Sequence, residues 1–313
     1  MHPFRFVADL TRIVDARTLA GDARRAESIG YSVAVLGDHL LEQLAPFPAL
    51  AVIAGATERL RIGTFVINND LRHPAVLAQD LATLDVLSGG RLEIGIGAGW
   101  NEDEYQAAGL PFDPPGRRID RMESAVTVLR GLFADGPFTF RDEHYAITAM
   151  DALPKPVQRP HPPFLVGGGG RRILSFAARE ADTVGLAPRA VADGSVSIAD
   201  CLVPGVVERI GWVRAAAGDR FDSLELNVYP SVGRLTITDH ARQAAEALAQ
   251  RLAGRYGSDA SVDELLESPF VFIGSADGLA TKLREMRDRF GISSVTTFDM
   301  DAFAPVVERL AGT

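Results

Sequence analysis

Short runs dense in β-branched and aromatic residues alternate along this chain with longer stretches whose apolar residues recur every three or four positions. These two periodicities separate strands from amphipathic helices. Phe4–Asp9 reads as a strand. After it, Asp15 is placed to cap a helix carrying Ala16, Leu19, Ala20, Ala23, Ala26 and Ile29, with Gly30 as its terminator. Ser32–Leu36 predicts a second strand, an alanine-rich helix follows from Phe47 to Thr57, and Arg61–Ile67 predicts a third strand. The next helix carries Val76, Leu77, Leu81, Leu84 and Leu87 on one face and stops at Gly89-Gly90, where Arg91–Ile96 begins a fourth strand. Four such starts recur roughly every thirty residues, the size of a βαβ unit.

The rhythm then loosens. A helix over Met122–Phe133 precedes two short β-like runs, Phe138–Phe140 and His144–Ile147, which predict a small inserted hairpin. The prolines at 154, 156, 160, 162 and 163 mark a turn-rich connection. Phe164–Val166 is the fifth strand, the glycines 167–170 open a helix over Arg172–Glu180, and Thr183–Leu186, Leu224–Tyr229 and Ser294–Phe298 supply three more strands. A helix over His240–Tyr256 lies in a long insertion, and Leu279, Leu283, Met286 and Phe290 are expected to line the final helix. Eight strands interleaved with helices predict an α/β fold of the (β/α)8 TIM-barrel class, with insertions after strands 4 and 7 and one domain over residues 1–313.

Composition narrows the partners. At 313 residues, 47% hydrophobic and 23% charged, the chain is globular material, and its net charge of −9 sets it against nucleic acid and anionic membranes. No run approaches the ~20 apolar residues of a bilayer span, and the first residues lack the apolar core of a signal peptide, so a cytoplasmic protein acting on a small molecule is expected. Cys201 is the single cysteine, which excludes an intrachain disulfide, and without an activating neighbour it reads as packing. The histidines are scattered without a ligand pair such as H-E-x-x-H, so no metal site is expected.

In a barrel the chemistry sits where strands end. Those positions here hold Asp38-His39, Asn68-Asn69-Asp70, Gly97-Ala98-Gly99-Trp100-Asn101 and Gly167-Gly168-Gly169-Gly170-Arg171-Arg172. The last run offers bare backbone N–H groups, a helix start and two arginines, a pattern suited to a phosphate. The 95–99 glycines lack the G-x-G-x-x-G spacing of a dinucleotide fingerprint and fit either close approach to a flat ring or strand packing. His39, beside Asp38, is placed to exchange a proton near neutral pH.

These stretches resemble a known family. Leu36-Gly37-Asp38-His39, Leu60–Val66, His73-Pro74-Ala75 through Arg91, Gly95–Trp100 and Gly167–Gly170 are similar to the luciferase-like flavin monooxygenases and their coenzyme F420-dependent relatives. The Asp-His pair and the run Ala45–Leu50 look more like the F420 branch. The resemblance implies that Asp38 and His39 lie beside the cofactor, with His39 as catalytic proton carrier. It implies a non-prolyl cis peptide at Phe65-Val66 behind the ring. Asn68, Ala98 and Gly99 would border the ring and ribityl chain, and Gly169, Gly170, Arg172 and Ile173 would hold the phosphate.

One position departs from the branch. Its sugar-phosphate dehydrogenases carry a catalytic glutamate where this chain has Trp100, and neither Lys155 nor Lys282 falls in the loops where theirs bind phosphate. Trp100 is expected instead to give the substrate pocket an apolar wall. The implied activity is F420-dependent hydride transfer with an uncharged organic substrate. The alternatives are an FMN-dependent monooxygenase using reduced flavin and O2, and a flavin-binding protein without turnover. A homodimer is expected from the family's habit, with a separate reductase to recycle the cofactor.

Overall fold

The computed structural model describes residues 2–189 and 196–313. It divides into two compact units, one of residues 10–27 and 33–165, the other of residues 1–9, 28–32 and 166–313.

In the first of these units, the strands Val33–Leu36, Arg61–Thr64 and Leu92–Gly97 run parallel, with Val33 opposite Arg61 and Ile62 opposite Leu92. Each is a short run of mostly buried residues, as expected of a parallel sheet covered on both faces. The third expected strand is interrupted. Its ladder stops at Thr64, the Phe65-Val66 peptide is cis as the resemblance implies, and pairing resumes at Ile67–Asn68, opposite Ile96 and Gly97. The helices Pro46–Ala56 and Pro74–Leu87 both start on proline, whose missing N–H is no loss in a first turn. Arg91 fastens this region, donating to the carbonyls of Ala54, Leu60 and Ser88 and to Thr57 Oγ1. Beyond Gly97 come the short helix Glu102–Ala108, the long helix Pro115–Phe133, and the expected hairpin, Phe138–Arg141 antiparallel to Ala146–Met150.

The other unit holds the parallel strands Arg5–Asp9, Ile292–Thr297, Glu225–Val228 and Thr183–Leu186 in that order, with residues 166–168 beside the last. Asn227, fully buried, bonds Ser294 Oγ at 2.9 Å and Thr296 Oγ1 at 3.1 Å. Among the helices of this unit, Arg171–Glu180 packs on Thr183–Leu186, Ala276–Phe290 on Ile292–Thr297 and Met300–Leu310 on Arg5–Asp9, while Val203–Ala217 lies against Arg171–Glu180 and Ala241–Tyr256 against Val262–Glu267.

One assignment changes. Leu279, Leu283, Met286 and Phe290 do line a buried helix face, but on Ala276–Phe290, which precedes the last strand; the helix that follows it is Met300–Leu310. That helix carries Pro305, which disguises it in sequence as a break. Among the described residues no helix is long and apolar enough to cross a membrane.

Candidate active site

Three loops that follow parallel strands are tied together by buried charge. The first follows Val33–Leu36. Gly37 N–H donates to Thr11 Oγ1 at 2.8 Å, and Gln43 Nε2 donates to Gly37 O at 2.7 Å, so the turn before Asp38 is held from both sides. Asp38 is 2% exposed, a burial a carboxylate tolerates only when paired. Its Oδ2 accepts from Arg72 Nη1 at 2.5 Å and from Asn68 N–H at 3.1 Å. The Arg72 guanidinium lies 4.7 Å over the Phe47 ring, which fixes its other face. Asp38 thus anchors the second loop, after Ile67–Asn68, to the first.

His39 is held by a different partner. Its Nδ1 lies 2.9 Å from Glu104 Oε2, and the other oxygen of that carboxylate accepts the Leu40 N–H. Glu104 is buried, whereas the imidazole keeps about a third of its surface. Trp100 meets the ring edge-on, with centroids 5.7 Å apart at 79°, and is itself 65% exposed. An ordered imidazole, a buried carboxylate and an exposed aromatic ring thus meet at one point, an arrangement able to take up and release a proton next to an apolar surface.

Asn68 and Asp70 bind the second loop to the helix Glu102–Ala108. Asn68 Oδ1 accepts from Asp70 N–H at 3.1 Å, and the Tyr105 hydroxyl lies 2.9 Å from both Asn68 Oδ1 and Asp70 Oδ2. This network assigns Oδ1 inward and leaves the Asn68 Nδ2 donors without a partner among the described residues. Burial, with the Asp70 charge nearby, pushes the Tyr105 hydroxyl up to about 12. Asp70 in turn takes a two-pronged contact from Arg121, Nε at 2.7 Å and Nη2 at 2.9 Å, and Arg121 Nη1 reaches Asp113 at 2.8 Å. The hydrogen bond to Asp70 raises the Arg121 guanidinium further, so it stays charged.

In the third loop, Arg118 lies beneath Ala98-Gly99. Its Nη1 donates to Ala98 O at 3.3 Å and to Gly99 O, its Nε to Asp113 O at 2.9 Å, and its guanidinium stacks 4.0 Å over Phe112. The glycines of this segment are accounted for by the protein itself. A Cβ on Gly95 would lie 2.0 Å from Thr64 O, and one on Gly97 2.7 Å from Val66 Cγ2. Strand packing therefore requires them whether or not a ring approaches.

The glycine loop of the other unit divides in the same way. A Cβ on Gly168 would strike Ile173 Cγ2 at 2.3 Å, and one on Gly169 would strike Arg189 N at 2.6 Å and Pro188 C at 2.7 Å. At Gly170 it would meet nothing within 4 Å. Gly170 caps the helix Arg171–Glu180 with both arginines exposed in its first turn. Arg189 makes a bidentate pair with Asp200, Nε at 2.8 Å and Nη2 at 2.8 Å, and Asp200 also faces the fully buried Arg209. Burial acts to raise the Asp200 carboxyl, and hydrogen bonds from Arg189 more than offset it. Cys201 is buried, and that burial pushes its thiol up to about 12, in keeping with packing rather than nucleophilic chemistry.

Of the residues expected from sequence, Asp38, His39, Phe65, Val66, Asn68, Ala98, Gly99 and Trp100 fall within one unit, and Gly169, Gly170, Arg172 and Ile173 within the other. Those not anticipated are Arg72, Glu104, Tyr105, Arg118 and Arg121. Glu104 follows the acidic pair Glu102-Asp103 in a helix first turn, where a carboxylate usually faces water. The spacing of Arg118 and Arg121 does put them on one helix face, a usable signal.

Comparison with known proteins adds four findings. The model of a family described as luciferase-like monooxygenase matches residues 1–293. An FMNH2-dependent dimethylsulfone monooxygenase of Pseudomonas putida is 32% identical over 130 residues, 42% of this chain and 36% of that protein. An F420-dependent glucose-6-phosphate dehydrogenase of Intrasporangium calvum is 34% identical over 179 residues, 53% of this chain and 52% of that protein. The matches therefore span about a third to a half of these relatives' own lengths. The solved structure of a coenzyme F420-dependent tetrahydromethanopterin reductase from Methanopyrus kandleri superposes with a TM-score of 0.76 over 98% of both chains, at 20% identity. That likeness gives the fold class, α/β with a closed eight-stranded parallel β-barrel.

Proposed function

The chain belongs to the luciferase-like monooxygenase family, whose members are flavin- or deazaflavin-dependent oxidoreductases, and on that premise we propose that it moves a hydride between coenzyme F420 and an uncharged small organic substrate. The observation that carries this reading is His39, part-exposed and held at Nδ1 by the buried Glu104. A two-electron hydride transfer leaves one proton to be placed, and an ordered imidazole with a free Nε2 suits that task.

Each unit by itself holds residues that suit a part of such a cofactor. Gly170 has open space where a side chain would stand, beside a helix N-terminus with two exposed arginines, a suitable seat for a phosphate together with Gly169, Arg172 and Ile173. The Asn68 Nδ2 group offers donors to a ring carbonyl, since its own oxygen is occupied by Asp70 N–H and Tyr105. Asp38 holds Asn68 in place through its backbone N–H. When bound, the deazaflavin supplies the two-electron chemistry. Trp100 shields the proton carrier with an apolar edge, which favours an uncharged substrate.

The similarity to the Pseudomonas monooxygenase favours a second reading, reduced FMN with O2. Titrating the protein with F420 and with FMN, followed by fluorescence, separates the two. Tighter binding of F420 is expected, and tighter binding of FMN would replace the first reading by the second. We further propose a cytoplasmic homodimer served by a separate reductase; exposed Val76, Val86 and Leu87 on the helix Pro74–Leu87 offer apolar surface for a second copy.

A further inference from the structure

Glu104 occupies a position that nothing in its local sequence calls for. Its neighbours Glu102 and Asp103 are exposed, yet Glu104 is 1% exposed and spends both oxygens on the segment 39–40. Oε1 accepts the Leu40 N–H and Oε2 faces His39 Nδ1. A carboxylate that accepts at both oxygens has no hydrogen to give, so the imidazole hydrogen must stand on Nδ1, and the lone pair is left on Nε2.

We propose that Glu104 is a positioning residue that fixes the tautomer of His39 and so makes Nε2 the atom that exchanges the proton. This rests on the reading of His39 as proton carrier. In a substrate group H–X–C–H, with X a heteroatom, oxidised F420, when bound, would supply the two-electron acceptor for the carbon-bound hydrogen, and the C–X bond would become double. The proton on X passes to Nε2, and the Glu104 charge balances the imidazolium. The reverse reaction returns the proton from Nε2. A buried carboxylate serves both directions, because it holds Nδ1–H before the proton arrives and faces a cation afterwards.

The consequence is sharpest for Glu104→Gln. Leu40 N–H still needs an acceptor, so the amide oxygen stays on Leu40 and the NH2 group turns to His39. Nδ1 must then accept, and the ring hydrogen moves to Nε2. The neutral ring has no lone pair there to take a proton, and an imidazolium would set Nδ1–H against the amide hydrogens.

The test is 15N NMR of histidine-labelled protein without cofactor, with the His39 signals identified by their loss in His39→Asn. Wild type is expected to show the hydrogen on Nδ1, Glu104→Gln to show it on Nε2, and Glu104→Asp to restore much of the wild-type pattern. With F420 and a surrogate substrate found by screening, Glu104→Gln should lower kcat about 10²–10⁴-fold while cofactor affinity changes by less than about threefold. A wild-type ring protonated on Nε2, or the same tautomer in wild type and Glu104→Gln, overturns the proposal. If the tautomers behave as expected but His39→Asn retains turnover, the reading of His39 as proton carrier fails instead.

Discussion

Gly99 and Tyr105 share one small space: a Cβ on Gly99 would lie 2.1 Å from the Tyr105 hydroxyl and 2.7 Å from Asn68 Oδ1. Gly99 also sits at φ +74°, where side chains are strained. Gly99→Ala is therefore expected to lower stability by about 2–4 kcal/mol, combining overpacking with backbone strain. Denaturant unfolding at 25 °C measures it, and a loss below about 1 kcal/mol would mean that Tyr105 yields its place easily.

Removing the hydroxyl tests the same contact from the other side. Tyr105→Phe leaves the ring packed on Phe112, with centroids 5.0 Å apart, but takes a donor from Asn68 and Asp70. We expect a cost of about 1–3 kcal/mol, read as a lower unfolding midpoint with an unchanged denaturant slope.

His39→Asn keeps a polar side chain of similar reach that does not titrate. Cofactor affinity should stay close to wild type while kcat falls about 10²–10⁴-fold. Single-turnover oxidation of reduced F420 isolates the step, and a fully active Asn variant would make His39 a positioning group.

The glycine loop gives a paired test. Gly170→Val adds a side chain in open space, so the fold should tolerate it while F420 affinity drops at least about tenfold. Gly169→Val forces a Cβ into the backbone of Pro188 and Arg189, so stability should fall together with affinity. Equal affinity for Gly170→Val and wild type in a titration would remove the phosphate assignment.

Lys282 gives a pH-dependent test in the other unit. Its Nζ donates to Leu266 O at 2.6 Å and Val271 O at 2.7 Å, in a pocket of about 390 Å3 that Asp239, Glu267, Glu285 and Arg289 also line. Burial pulls its pKa down from 10.5 to about 7, with Glu267 and Glu285 pulling the other way. The unfolded chain then binds more protons than the folded one between about pH 7 and 10.5, so stability rises with pH across that window. Below it both states are protonated and the cost of burial is fully present. The stability of wild type relative to Lys282→Met should increase by roughly 2–4 kcal/mol from pH 7 to pH 10. A flat difference would mean that the two carbonyls hold the ammonium charged in the fold.

Hydrophobic period was enough to place the helix Ala16–Ile29 with its cap at Asp15, whose Oδ1 accepts Thr18 N–H at 2.7 Å, and the strand Thr183–Leu186 to the residue. It failed where a proline or a short acidic turn masked the period. Val203–Ala217 opens on Val-Pro-Gly, which resembles a turn, and Met300–Leu310 contains Pro305. Asp38 and His39 were legible because a strand end is a local feature. The partner of His39 was not, since Glu104 lies 65 residues away and only the packing of the helix Glu102–Ala108 brings them together. Gly95 and Gly97 were ambiguous in sequence for a related reason, because the atoms that exclude a side chain there belong to Thr64 and Val66, which are distant in sequence.

Arg118 has an effect on the side of its loop that it does not touch. It draws the carbonyl oxygens of Ala98 and Gly99 toward itself, and in a planar trans peptide the N–H points opposite to the C=O. The amide hydrogens of Gly99 and Trp100 are thereby turned outward together, away from the guanidinium. A cationic side chain on one flank thus makes a paired hydrogen-bond donor of the bare main chain on the other. Because that donor contains no side-chain atom, replacing the Trp100 side chain would leave its chemistry in place, whereas Arg118→Met would release both peptides to rotate.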